Sequence, residues 1–350
     1  MGLNRSFWDS RRVLLTGHTG FKGAWLALML ELVGARVSGL ALAPHTDPSL
    51  FELLSPWPTL QSTIGDVRDS STVDQVIKES KPQVVIHMAA PATVLAAYQD
   101  PVNTFSTNVV GTVRLLEGLR RASEPPSAIL VTTTDKVYEV GTVDRPYVES
   151  DRLGGSDPYS ASKVGQELVT ATYGSHYFDT GLTRIATARA GNVIGGGDWA
   201  PDRLVPDHVR ASQSGQQLIL RHPHALRPWQ HVLDALHGYL LYIEAMAEKA
   251  ETPTALNFAP LDNGSCTVSE LVRLLDGGRS SWEQNDTTTW HEEPELRLDP
   301  GLAARAIGWK SVLRLDEAAR LTSHWYREHA LGADPRRLTI GQIESFLEKL

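Results

Sequence analysis

Along the first half of the chain, short runs of β-branched and aliphatic residues alternate with longer segments in which apolar residues recur at helical spacing. Runs of the first kind are strands buried on both faces; segments of the second kind are helices with one apolar stripe. Their alternation predicts a parallel sheet wrapped by helices. The expected strands are Arg12–Thr16, Arg36–Leu42, Thr63–Gly65, Val84–Met88, Ala128–Thr132 and Thr183–Arg189. From Gly191 the alternation breaks into loops rich in glycine and proline, GGGDWAPDR and RHPHALRPW, then a helix near residues 231–249 and several short elements. A chain of 350 residues exceeds the usual size of a single core, so two parts are expected. The first covers residues 1–190 with a returning segment at about 228–260; the second, smaller and substrate-binding, covers 191–227 and 261–350.

The motif TGHTGFKG, residues 16–23, stands between the first strand and the helix that follows it. Gly17, Gly20 and Gly23 are spaced to allow a tight turn, close approach of backbone to a pyrophosphate, and close packing of helix on strand. A Rossmann-type, doubly wound α/β fold that binds a dinucleotide follows, with Thr19 and Phe21 of the turn, Ala89 and Asn108 as further cofactor contacts. The second strand ends in LALAPH, which offers neither an acid for a ribose hydroxyl nor an arginine for a 2′-phosphate. Asp66, at the end of the third strand with Val67 beside it, is the candidate acceptor for the adenine amino group; its other reading is a helix N-cap, shared with Asp69. NAD rather than NADP is therefore the expected cofactor.

Tyr159 and Lys163 in DPYSASK are spaced i, i+4, which places both side chains on one helix face. An ammonium near the ring is expected to lower the phenol pKa toward neutrality, so that the tyrosinate takes a proton from a sugar hydroxyl while the lysine binds the nicotinamide ribose. Downstream of the glycine turn, this pair resembles the signature of the short-chain dehydrogenase/reductase superfamily, in its extended branch. The strand ILVTTTDK brings Thr134, Asp135 and Lys136 to the sheet edge where ligands of such folds sit. A 4-epimerase needs only tyrosine, lysine and a hydroxyl residue. Elimination of water needs in addition an acid for the departing 6-hydroxyl and a base for the C5 proton, the two groups that Asp135 and Lys136 supply.

TGHTGFKGAWL, HMAA at residues 87–90, TTDKVYE, DPYSASK, ARAGNVIGGGDWAPDRLVPD and HPHALRPWQHV together resemble the CDP-glucose 4,6-dehydratases over nearly the whole chain. The resemblance implies C4 oxidation of a nucleoside-diphosphate hexose by NAD, loss of water across C5 and C6, and hydride return to C6. It also assigns roles: Tyr159 takes the 4-OH proton, Thr134 hydrogen-bonds that oxygen, Asp135 is the acid, Lys136 the C5 base, and Lys163 orients the cofactor. Asn192, Arg203, Arg221 and Arg227 fall in loops that face the sugar nucleotide in such enzymes, and a homodimer is the implied assembly. The chain departs from the family after HMAA, where PATVLAAYQDP replaces a Gln-Pro pair and an arginine-containing stretch, and again in LNFAP, residues 256–260.

Composition narrows the alternatives. The net charge of -8, with basic residues scattered among acids, leaves no continuous basic face for nucleic acid. No stretch of about 20 apolar residues predicts a membrane span, and a single cysteine fits a reducing cytoplasm. His222, His224 and His231 lack a credible metal geometry, no metal is expected, and His231 reads as packed or as hydrogen-bonded near the site. The rival readings are a dehydratase for another nucleotide sugar, a 4-epimerase or decarboxylase, and a noncatalytic NAD-binding regulator.

Overall fold

The computed structural model describes residues 2–91, 93–178, 181–248, 251–260, 265–279, 281–285 and 296–350. Ala92 of the divergent segment, the last residue of the expected 231–249 helix and the 261–264 opening of the second expected part lie outside the described residues.

Seven strands form one wholly parallel sheet: β1 (Arg12–Thr16), β2 (Arg36–Ala41), β3 (Leu60–Ile64), β4 (Val84–His87), β5 (Ala128–Thr132), β6 (Arg184–Ala190) and β7 (Ala255–Phe258). Their order is β7-β6-β5-β4-β1-β2-β3, so strand order reverses between β4 and β1 and opens a crevice beyond their carboxyl ends. The period of two along each strand divides the core. Val13, Leu15, Val84 and Ile86 enter one cluster, while Leu14, Val85, Ile129 and Val131 enter the other. Helices α1 (Phe21–Leu32) and α5 (Val232–Glu248) cover the first face; α2 (Ser70–Ser80) and α3 (Gly111–Arg120) cover the second. α5 is buried from Val232 through Met246 and apolar nearly all round, as a helix enclosed by neighbours must be.

The ends of β2, β3, β4 and β6 differ from expectation by one to three residues, most in β3. β3 begins at Leu60 and stops before Gly65, whose N–H donates to the Ala41 carbonyl at 2.8 Å. As the edge strand it carries the mostly polar LQSTI, so no apolar run marks it in the sequence. β7 returns from residue 255 to pair with β6 and closes the other edge. The first core cluster continues without a break through Leu271, Trp309, Trp325 and Phe346 of the C-terminal region.

Helix α4 (Pro158–His176) carries the tyrosine motif. The Asp157 side chain caps it by accepting the Ser160 N–H at 3.0 Å, and Pro158 at the first turn has no amide hydrogen to leave unpaired. This start fixes Tyr159 in the first turn.

Candidate functional site

The glycine turn has the geometry its spacing predicts. Gly17 sits at φ +78, in the left-handed region, and a Cβ there would lie 2.8 Å from the Ala89 nitrogen. A Cβ on Gly23 would lie 2.1 Å from the Gly17 carbonyl oxygen, so any larger residue separates helix from strand. Gly20 caps α1 without a side-chain bond, and the first-turn amides have no acceptor within the helix. An anion such as a pyrophosphate fits there. Thr19 Oγ1 donates to the Leu42 carbonyl at 2.9 Å and so ties the turn to the end of β2.

Asp66 is held by its neighbour. Arg68 reaches both carboxylate oxygens, with Nη2 at 2.5 Å from Oδ2, and keeps the carboxyl below its usual range. Asp69, not Asp66, caps α2. Val67 is buried in the second core cluster, its Cγ1 2.7 Å from where a Cβ on Gly111 would stand. Asn108 is buried on a π-helical segment (Ser106–Val110) and donates to Ser162 Oγ at 2.8 Å, which joins it to α4.

A pocket of about 550 Å3 opens at the carboxyl edge of β5 and β6. Thr134, Asp135, Lys136, Tyr159 and Asn192 line it, with Arg203, Arg221 and Arg227 farther along and Phe21 from the glycine turn. Thr134, Asp135 and Lys136 are adjacent because β5 ends at Thr132 and a single 3-10 turn (Asp135–Val137) follows. The Thr134 hydroxyl donates to Asp135 Oδ1 at 2.9 Å and is hydrogen-bonded to the Tyr159 phenol, so it stands between the two acids. Burial raises the Asp135 carboxyl above its usual range, against the pull of Lys136, which favours the protonated acid.

The expected effect of Lys163 on Tyr159 is not what the structure gives. Burial pushes the phenol up to about 12, and it pushes the Lys163 ammonium down to about 7, helped by the charge of Lys22. The ammonium is buried and donates to the Thr132 carbonyl at 3.1 Å and to Gln166 Oε1 at 2.7 Å. Desolvation of each group outweighs any attraction between them.

The arginines divide by environment. Arg227 is buried and donates to the Leu226 carbonyl at 2.8 Å, Arg203 pairs with Asp198 at 3.0 Å, and Arg221 donates to the Asp202 carbonyl at 3.1 Å. His231 is packed as expected, edge-on to Trp25 with ring centroids 5.9 Å apart, and its Nδ1 accepts the Leu233 N–H. Sequence reasoning missed Lys22, which lines the pocket and is pushed down to about 8 by burial and Arg203, with Asp135 and Asp198 opposing. A lysine set among the glycines of the turn was the available signal. Val94, from the divergent segment, presents an apolar wall to the same pocket.

Comparison with known proteins places this geometry. The sequence family described as GDP-mannose 4,6 dehydratase matches residues 14–322. A CDP-glucose 4,6-dehydratase of Salmonella typhimurium is 40% identical over 341 residues, covering 95% of each chain. The chain belongs to the CDP-glucose 4,6-dehydratase family. It is accordingly an enzyme of the hydro-lyase class, in the extended short-chain dehydrogenase/reductase superfamily. Among solved structures, a dTDP-glucose 4,6-dehydratase from Streptomyces venezuelae with NAD and TYD bound is 26% identical, covers 93% of this chain and 99% of its own, and superposes with a TM-score of 0.78. An epimerase from Methanothermobacter thermautotrophicus, 20% identical over 93% of this chain and 95% of its own, reaches 0.82 and shares the fold.

Proposed function

We propose that the protein uses NAD to catalyse the 4,6-dehydration of a nucleoside-diphosphate hexose, with CDP-D-glucose giving CDP-4-keto-6-deoxy-D-glucose. The observation that carries this reading is the convergence of Thr134, Asp135, Lys136 and Tyr159 on one pocket wall, which unites the groups for oxidation with two further proton-transfer groups.

The glycine turn and the first-turn amides of α1 fit the pyrophosphate, and Gly17, Thr19, Gly20, Phe21 and Gly23 are the residues that would hold NAD, with Asp66, Val67, Ala89 and Asn108 toward its adenine and nicotinamide ends. Bound NAD supplies reversible hydride acceptance. Tyr159 takes the 4-OH proton, a transfer that needs the phenolate and so relies on cationic neighbours to offset its burial. Thr134 hydrogen-bonds that oxygen. Once C4 is a ketone the C5 hydrogen is acidic, because its loss leaves an enolate; Lys136 removes it, and Asp135, its carboxyl raised above the usual range by burial, hands its proton to the departing 6-hydroxyl. Lys163 orients the nicotinamide ribose. Arg203, Arg221, Arg227 and Asn192 face the diphosphate and the sugar, where a guanidinium can grip phosphate oxygens in a fork.

Preference for cytosine rests on the 40% identical relative. The division into parts over 1–190 with 228–260, and over 191–227 with 261–350, is supported by the return of α5 and β7 to the sheet. A homodimer is supported by Val102, Phe105, Val110 and Leu168, exposed on the segment before α3 and on α4. The single cysteine favours the cytoplasm, and among the described residues no helix is long and apolar enough to cross a membrane.

The test is a screen of CDP-, dTDP-, UDP- and GDP-glucose for a 4-keto-6-deoxy product, which absorbs in alkali. Product from CDP-glucose with NAD in catalytic amount supports the reading; no product from any of the four rejects it. A tenfold preference in kcat/KM for dTDP-glucose, about 1.4 kcal/mol, rejects the cytosine assignment alone.

A further inference from the structure

A line of buried polar side chains runs from the catalytic helix to the far wall of the cofactor crevice. Lys163 Nζ donates to Gln166 Oε1 at 2.7 Å, and Gln166 Nε2 donates to Thr112 Oγ1 at 2.8 Å. Thr112 Oγ1 lies 3.0 Å from His87 Nε2, and His87 Nδ1 lies 2.7 Å from Thr16 Oγ1. Thr16 Oγ1 accepts the N–H groups of Met88 and Ala89, each at 3.1 Å. Thr16, His87 and Thr112 have no exposed surface; Gln166 and Lys163 are 1% and 4% exposed. Five polar side chains withdrawn from water stay there only if their hydrogen bonds are made.

Proton counting fixes every direction. Thr112 spends its single hydroxyl proton on the Asn108 carbonyl at 2.6 Å, so both of its lone pairs accept, one from Gln166 and one from His87. His87 therefore carries its proton on Nε2, and its Nδ1 accepts from the Thr16 hydroxyl. Thr16 thereby has two lone pairs left, which the two backbone amides fill. Nothing in the line is frustrated, and His87 must be neutral, in keeping with a pKa that burial and Lys163 push down to about 3. The far end of the line is the backbone that Gly17 packs against, since a Cβ on Gly17 would stand 2.8 Å from the Ala89 nitrogen. The near end commits two of the three N–H donors of Lys163, to Thr132 and to Gln166, and leaves one for the crevice.

We propose that Gln166 is a positioning residue for Lys163: through Thr112, His87 and Thr16 it registers the catalytic ammonium against the crest of β1 and β4, where the dinucleotide turn sits. The proposal rests on the reading of Lys163 as the cofactor-orienting lysine. The amide oxygen accepts from the ammonium, which favours that form over the free amine. The charged and titratable groups facing that ammonium are Lys22 from α1, His87 from β4 and Glu167 on its own helix, the last already bound by Arg189.

Three measurements test this. In Gln166→Met, similar in volume but without the amide, NAD affinity by fluorescence titration should weaken about tenfold while the KM for sugar nucleotide holds. The alkaline limb of the pH profile for NAD binding should move down by about one pH unit, because a charge-assisted hydrogen bond is lost from the ammonium form. Gln166→Glu, with a carboxylate at the same reach, should move that limb up. In the unsubstituted protein, nitrogen-15 NMR should find the His87 ring neutral, protonated at Nε2, and not titrating near pH 6.5. Thr112→Ser should keep that state and Thr112→Val disturb it, which serves if the Gln166 variants fail to fold. A His87 protonated at Nδ1, or a folded Gln166→Met with unchanged NAD affinity and pH profile, would overturn the proposal. If Lys163→Met also binds NAD and turns over normally, the reading of the lysine itself falls; if only Gln166→Met is silent, that reading stands and this one does not.

Discussion

The two halves of the candidate site are built differently. Tyr159 and Lys163 stand on a 19-residue helix whose first turn is capped by Asp157 and whose middle is clamped by a buried ion pair, Glu167 to Arg189 at 2.8 Å. Thr133 and Thr187 donate to the same carboxylate, and Arg189 also reaches the Tyr138 hydroxyl at 2.9 Å. Asp135 and Lys136 occupy a three-residue 3-10 turn at a strand end, with Asp135 buried and Lys136 half-buried. The half proposed to serve oxidation is thus held by many cooperating contacts, whereas the half proposed to serve elimination depends on where one turn leaves the sheet. On the proposed roles, a fold that retained the first and altered the second would keep redox chemistry and lose dehydration.

Substitutions can separate the halves. Tyr159→Phe should have the largest effect, a fall of about 10⁴ or more in turnover, with no deuterium entering C5 from heavy water, because nothing downstream proceeds without the C4 ketone. Mass analysis of recovered sugar measures both. Asp135→Asn keeps the shape but removes the acid, so turnover should fall by about 10² to 10⁴ while C5 exchange persists. Normal turnover in this variant would end the assignment of Asp135 as the acid. Lys136→Ala should fall within the same range with exchange suppressed, and brisk C5 exchange would show another base at work. Glu167→Gln leaves Arg189 buried without its counter-charge, and urea unfolding should report a loss of about 3 to 5 kcal/mol. Gly191→Ala should be the mildest. Its Cβ would lie 3.0 Å from Asp135 Oδ2 and from Pro228 Cγ, crowding the elimination half alone, so a few-fold drop in kcat with undiminished C5 exchange is expected.

Much of this was legible in the sequence, for a reason that also sets the limit. Gly17, Gly20 and Gly23, Tyr159 with Lys163, and Thr134 to Lys136 are local: their spacing within one turn, helix or strand end already fixes their relation. What escaped notice depends on contacts between distant elements. Gln166 reads as a helix surface residue until α4 is laid against α3 and β4. Glu167 and Arg189 look like two ordinary charges until helix and strand meet. Lys22 is hidden inside a motif read for its glycines, and Arg68 shows its hold on Asp66 only once the loop after β3 is folded. The phenol pKa was misjudged because sequence spacing reveals a neighbouring charge but not the burial that outweighs it.

The place of β7 at the sheet edge has a consequence for biosynthesis. β6 leaves the ribosome long before its partner, since the loops after Gly191, Leu204–Ser214 and all of α5 are made in between. Throughout that interval the outer edge of β6 carries unpaired backbone donors and acceptors, open to any extended segment that comes by. The nascent chain is protected only when Ala255–Phe258 arrives, so a message truncated before that point would yield a protein with its nucleotide turn and catalytic helix encoded in full and a sheet left ready to aggregate.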